Sequence, residues 1–286
     1  LRRQKPDRPE IAEAAAQLGR LAEAQPDLAD AARLQAALLR AAYAAPAAVA
    51  PSGRTREAIA ASLAAGAPLL RGHPLPAAEG DLRAAFARLC AAADEVLSSA
   101  GAPEAPPRSL PQRVDVVSLA GALLAGDGAA IPARLEAQGL PAELVSALLR
   151  FALLPFLEQA AAQLAPLWAE QQWQRGCCPC CGAWPLMGEQ RGLDQARYGR
   201  CGLCVSSWRL ERVCCPFCGE RDHRRLGYLA VEGDEQQRVF TCESCGGYLK
   251  LRSVLAPLSA PQLLVAEIAM LHLDLVAMES GYLAPG

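Results

Sequence analysis

The sequence has no surplus of charge of either sign. Its 286 residues carry 28 Lys and Arg against 30 Asp and Glu, a formal net charge of −2. No global positive field therefore favours nucleic acid or an anionic membrane. An uninterrupted run of about eighteen large apolar residues is missing, so no membrane span is expected. The opening stretch, LRRQKPDRPE, is polar and charged. It does not show the charged segment followed by an apolar one that marks an export signal. Aromatic residues make up only 5%. No catalytic-looking cluster and no fixed-period repeat appear in residues 1–172. The expected compartment is the cytosol, where closely spaced cysteines bind metal more often than they form structural disulfides.

Cysteine is what the chain does have, twelve in all. Eight form four Cys-x-x-Cys pairs: Cys178/Cys181, Cys201/Cys204, Cys215/Cys218 and Cys242/Cys245. A tight turn of this length points two sulfurs at one place, and two such turns supply the four thiolates of a tetrahedral metal site. The gaps from Cys181 to Cys201 and from Cys218 to Cys242 each leave room for a β-hairpin that brings two turns together. Two four-thiolate sites in tandem are therefore expected, with all eight cysteines as ligands and two metal ions per chain. Four pairs can be joined in three ways. Sequential pairing closes each site within its own hairpin; a cross-brace linking alternate pairs is the competing arrangement. Iron and zinc both accept four thiolates in this geometry.

The local grammar repeats. GCCPCCG, CCPFCG and CESCGG each follow a pair with glycine, which permits the left-handed backbone that often follows a thiolate ligand. Cys201 and Cys204 are the exception, being followed by Val205. Alternating patterns predict strands over 205–213, 226–230 and 248–252, with Arg238 and Phe240 on a return strand. The tryptophans Trp168, Trp173, Trp184 and Trp208 gather in or near this half, as expected where small metal-centred modules bury little else. Cys177, Cys180 and Cys214 each abut a paired cysteine. They read as bystanders pointing away from the metal, with register ambiguity or redox chemistry as the alternatives. His223 reads as a surface residue.

Residues 1–172 show helical periodicity rich in Ala and Leu. Asp27 and Asp81 are expected as helix N-caps. The lone Cys90 is expected as a small buried hydrophobe, and His73 as a solvated loop residue. Pro141 suits the start of a long helix that Pro155 should kink or break. Loops are expected over 66–80 and 101–111, and a turn at 232–235. After Pro257, Leu264, Ile268, Leu271, Leu275 and Met278 form one apolar stripe, expected to dock on the helical domain or on a second copy of the chain. His272 and Asp274 are expected to be structural. The fold class is then α+β and multidomain. An all-α domain covers 1–172, rubredoxin-like or zinc-ribbon modules cover 173–213 and 214–256, and a C-terminal helix over 257–286 packs on the rest.

Five ordered segments carry a family resemblance: Cys178 to Gly182 (CPxCG), Arg197 to Trp208 (RYxxCxLCxxxW), Arg212 to Gly219 (RVxCPFCG), Cys242 to Lys250 (CxxCxxYLK) and Leu271 to Tyr282 (LHLDLxAxExGY). In these the chain resembles the FdhE family, the formate dehydrogenase accessory (formation) proteins. The resemblance covers 178–282; the N-terminal half adds only its helical character and length. It implies a cytoplasmic, non-catalytic maturation factor that contacts the catalytic subunit of respiratory, membrane-associated formate dehydrogenase before export. That subunit carries molybdenum or tungsten, a pterin, and selenocysteine or cysteine. The resemblance further implies rubredoxin-like iron, in preference to zinc, on the paired cysteines. The doubled cysteines at 177, 180 and 214 are additions to the basic motif.

Two other classes compete. A zinc-ribbon module for nucleic acid or general protein interaction would use positive charge. Residues 175–256 hold twelve Arg and Lys against nine Asp and Glu, and two thiolate sites cancel most of that excess, so no nucleic-acid partner is expected. A thiol oxidoreductase would need one free Cys-x-x-Cys, not four. The partners expected are thus a client catalytic subunit and, through the C-terminal stripe, a homodimer.

Overall fold

The computed structural model describes residues 8–100, 109–168, 173–231 and 233–284. Most of the loop expected at 101–111, and Glu232 of the expected turn, lie outside these. The chain divides into two units: Leu1–Ser52 with Leu70–Gln163, and Gly53–Leu69 with Leu164–Gly286.

The first unit is helical. It contains α1 (Pro9–Ala24), α2 (Ala29–Ala42), α4 (Glu79–Ser99), α5 (Leu110–Arg113), α6 (Val116–Ala125), α7 (Ile131–Glu136) and most of α8 (Ala142–Trp168). Leu18, Leu39, Leu82, Phe86, Leu89, Leu148 and Phe151 are fully buried at its centre. Tyr43 donates to Glu158 at 2.7 Å and lies beneath the Arg8 guanidinium, 4.5 Å from its ring centre. Cys90 is buried in α4, and burial pushes its thiol up to about 12.

Several local expectations are corrected here. Asp27 lies in a short 3-10 turn, and α2 starts without a side-chain cap. Asp81 sits inside the first turn of α4, whose N-cap is Ala78. Pro155 does not break α8, which runs from Ala142 to Trp168. Phe151, Leu154, Phe156 and Leu157 around it are all buried, and this packing outweighs the one backbone hydrogen bond that proline forfeits. α8 is also long and apolar enough to cross a membrane by composition, with 67% of its most apolar window buried inside the protein.

The second unit is built on one six-stranded sheet of order β3-β2-β1-β6-β5-β4. Its strands are β1 (Pro185–Arg191), β2 (Ala196–Cys201), β3 (Ser207–Arg209), β4 (Leu226–Ala230), β5 (Gln237–Cys242) and β6 (Tyr248–Val254). Two antiparallel three-stranded pieces, β1–β3 and β4–β6, are joined by a parallel pairing of β1 with β6. Gly188 permits that junction, since a Cβ there would lie 2.4 Å from Leu251 Cδ2. The strand expected over 205–213 shortens to Ser207–Arg209, with Trp208 and Leu210 buried.

Helix α3 (Arg56–Ala64), capped by Thr55, belongs to this unit, whereas composition groups it with the helical domain. Long-range contacts decide its place. Leu69 donates its backbone N–H to Pro179 O at 2.9 Å, and the Arg175 guanidinium lies where a Gly66 Cβ would be, 2.2 Å from Nε.

The C-terminal segment is two helices, α9 (Ala260–Ala269) and α10 (Leu271–Glu279), bent by 47° at the break. A full capping box of Ser259 and Gln262 starts α9. The expected single stripe is corrected: Leu275 and Met278 are exposed. The buried face instead runs through Leu263, Ala266, Met270, Leu273 and Ala277, which pack on Met187, Val239 and Tyr248 of the chain's own sheet. Asp274 locks this arrangement by accepting from Tyr248 at 2.7 Å and Lys250 at 2.6 Å.

Candidate metal centres

Each Cys-x-x-Cys turn has the same backbone plan. The first cysteine donates its N–H to the carbonyl five residues on, at 2.8 Å for Cys178 to Ala183, 2.9 Å for Cys201 to Ser206, 2.8 Å for Cys215 to Glu220 and 3.0 Å for Cys242 to Gly247. In three turns the residue four on donates back: Gly182 to Cys178 at 2.9 Å, Gly219 to Cys215 at 3.0 Å, and Gly246 to Cys242 at 2.9 Å. This closed loop turns both side chains to one side. N–H groups also reach sulfur directly, as Leu203 and Cys204 do at 3.4 Å from Cys201 Sγ.

The turns meet in sequential pairs. Cys178, Cys181, Cys201 and Cys204 form one group and Cys215, Cys218, Cys242 and Cys245 the other, with all sulfurs of a group within 4.8 Å of one another. The shortest separations are 3.5 Å for Cys178–Cys204, 3.4 Å for Cys181–Cys201, and 3.7 Å for both Cys215–Cys245 and Cys218–Cys242. A tetrahedral ion with metal–sulfur bonds of about 2.3 Å needs sulfur edges of about 3.8 Å. A disulfide needs about 2.05 Å. The sulfurs therefore fit a metal ion, and these eight are free cysteines.

The electrostatics agree. Neighbouring Cys178, Cys201 and Cys204, followed by burial, push the Cys181 thiol well above its ordinary value. Four sulfurs so close can all be thiolates only with a cation between them. The two centres differ in exposure. All four cysteines of the first are buried, whereas Cys218 and Cys245 of the second are exposed.

The remaining cysteines divide. Cys214 is half-buried with its sulfur against Cys215 O at 3.6 Å, and Cys177 is half-buried, its carbonyl accepting from Trp173 Nε1 at 2.7 Å. Cys180 departs from the expected bystander pointing outward. It is fully buried, and its thiol stands against Cys204, which together with burial raises it strongly. Ser206, another neighbour that spacing alone did not single out, lies 3.2 Å from Cys204 Sγ. His223 is a surface residue, its side chain 82% exposed.

Fold and site together define a class: a protein with a helical unit and a head of two rubredoxin-like four-cysteine centres on one mixed sheet. No family model matches the chain. It is 38% identical over 159 residues to the FdhE homolog of Stutzerimonas stutzeri (strain A1501), covering 47% of this chain and 50% of that one. It is 28% identical over 142 residues to the FdhE homolog of Aquifex aeolicus (strain VF5), covering 48% and 50%. The chain spans about half the length of these curated relatives. The crystal structure of the FdhE protein from Pseudomonas aeruginosa matches 98% of this chain and 95% of its own, with a TM-score of 0.62 and 28% identity. The chain is thus similar to FdhE proteins in sequence over about half its length and in fold over nearly all of it.

Proposed function

We propose that the protein is a cytoplasmic, non-catalytic maturation factor for respiratory formate dehydrogenase that binds the catalytic subunit. Two metal ions are held by Cys178, Cys181, Cys201 and Cys204, and by Cys215, Cys218, Cys242 and Cys245. The observation that carries this reading is the pair of sulfur tetrads within 4.8 Å, set in a chain whose relatives are FdhE proteins. The resemblance through the ordered cysteine motifs supplies the client and the preference for iron. A four-thiolate iron centre would offer one-electron chemistry without change of ligands.

The chain's own residues do the rest. The knuckle hydrogen bonds preset the sulfur directions, and α9, started by its capping box, packs with α10 against the sheet. The resulting head is rigid enough to present a fixed docking surface. The test is co-purification of the tagged full chain with the formate dehydrogenase catalytic subunit, alongside the visible spectrum of anaerobically purified protein. Retention of the subunit, with loss in a Cys178→Ser/Cys215→Ser variant, supports the reading. No retention, with normal formate dehydrogenase activity in a strain lacking the protein, overturns it. Red protein assigns iron and colourless, metal-replete protein assigns zinc.

A further inference from the structure

The second unit contains a cavity of about 1000 Å³ whose lining reaches the second metal centre at Cys215. All four tryptophans of the chain line it, together with Tyr198 and Phe217. Its walls carry four arginines, Arg175, Arg197, Arg209 and Arg221, against the single carboxylate of Glu211 among the described residues. Arg221 already spends its charge on that carboxylate, through contacts at 2.5 Å and 2.9 Å.

Unmet hydrogen-bonding capacity distinguishes this cavity from ordinary aromatic packing. Arg197 is 3% exposed and Trp208 2% exposed. Arg197 Nε and Nη1, Trp208 Nε1 and Trp168 Nε1 are buried with no hydrogen-bond partner among the described residues. Arg197 hydrogen-bonds only through Nη2, toward the carbonyls of Glu211 and Cys214, while its guanidinium lies 4.6 Å from the ring centre of Phe240. Every one of these orphans is a donor. A buried guanidinium and two indoles lacking acceptors are costly unless something supplies acceptor atoms. The flat walls, including the edge-on pair Trp184 and Phe217 at 5.6 Å, suit an unsaturated ring. The volume falls at the upper end of the about 300–1000 Å³ usual for small-molecule sites.

We propose that this cavity binds a small organic anion, a carboxylate or phosphate carried on a flat apolar ring system. The anionic group accepts from Arg197 and the indole N–H groups as charge-assisted hydrogen bonds. The ring stacks against the tryptophans, and Arg209 at the exposed rim attracts the charge. The inference stands on this cavity alone and does not depend on the client proposed above.

The test is isothermal titration calorimetry of the metal-loaded full chain with four probes: 2-naphthoate, adenosine 5′-monophosphate, inorganic phosphate and the uncharged 2-naphthalenemethanol. One or both ring-bearing anions should bind at least tenfold more tightly than phosphate or the alcohol. Naphthoate alone assigns a carboxylate ligand, the nucleotide alone a phosphate, and both together the shared chemistry. Arg209→Gln and Trp184→Ala, at positions that are not fully buried, should each weaken the binding anion at least fivefold with unchanged metal content and melting temperature. Arg197→Gln should abolish binding; because Arg197 also holds two carbonyls, the rim variants keep the test decisive if that protein does not fold. No binding of either ring-bearing anion, equal binding of the alcohol, or affinity unchanged in both rim variants would overturn the proposal.

Discussion

Val205 holds a backbone φ of +55° at the same place in its knuckle where Gly182 holds +84°. Gly219 and Gly246 complete the set at +79° and +67°. The apparent exception in the cysteine grammar is therefore no exception in conformation, because the turn imposes the left-handed backbone on a β-branched residue. Such a residue in that region costs about 1–2 kcal/mol. Partial burial of Val205 against the cluster under α9 and α10 offsets some of this. A Cβ at Gly219 would meet nothing within 4 Å, so Gly219→Ala isolates the backbone penalty. Denaturant unfolding of the metal-loaded protein should show a loss of about 1 kcal/mol for Gly219→Ala. Val205→Gly should stay within about 1 kcal/mol of the parent, since relief of strain and lost packing oppose each other.

Glu189 is fully buried in β1 and bridges two arginines. It accepts from Arg191 at 2.6 Å, from the buried Arg200, and from the backbone of Leu258 at 3.1 Å. Removing the carboxylate strands Arg200, which is only 4% exposed. Glu189→Ala should cost about 3–5 kcal/mol in urea unfolding. The double variant Glu189→Leu/Arg200→Met should recover much of that loss, which distinguishes a stranded charge from a plain cavity.

The two centres should empty in order. The second has two exposed cysteines and the first has none, so a chelator and the protons that compete for thiolate reach the second first. Release of the bound ion, followed with a chelator that colours on binding it, should be biphasic, with one ion in each phase. Cys215→Ser should delete the fast phase and leave the slow one.

Cysteine alkylation should separate the four cysteines that lie outside the Cys-x-x-Cys motifs. Cys177 and Cys214 are half-buried, whereas Cys90 and Cys180 are buried. Burial also holds Cys90 up at about 12, so almost no thiolate forms at neutral pH. Mass spectrometry after brief iodoacetamide treatment of metal-loaded protein should find labels on Cys177 and Cys214, and none on Cys90 or Cys180. Chelation before labelling should open Cys180 together with the paired cysteines.

The cysteine turns and strands β4, β5 and β6 were legible because they are local, whereas β1 and β2 were foreseen only as a hairpin that the gap from Cys181 to Cys201 could hold. A two-residue gap aims two sulfurs, and alternation marks an extended segment. Most helices of the first unit were legible from their apolar period for the same reason. The parts that escaped depend on contacts distant in the chain. The parallel register of Gly188 with Leu251 joins two hairpins that read as separate modules. The 53–69 segment is tied to the cysteine unit by the bond from Leu69 to Pro179, which no local period announces. Pro155 continues its helix because the surrounding burial dominates. The stripe from Leu264 to Met278 failed because a break at Met270 rotates α10, leaving Leu275 and Met278 in solvent. Cys180 escaped because a doublet in sequence does not say which sulfur turns inward.

The central claim is that eight sulfurs enclose two ions. Quantitative metal analysis of the purified full chain, combined with native mass spectrometry, tests it most directly. Two ions per chain are predicted, one after Cys178→Ser/Cys181→Ser and one after Cys215→Ser/Cys218→Ser, with no disulfide in the native mass. A metal-free folded chain, or masses showing the paired cysteines joined to one another, would contradict it.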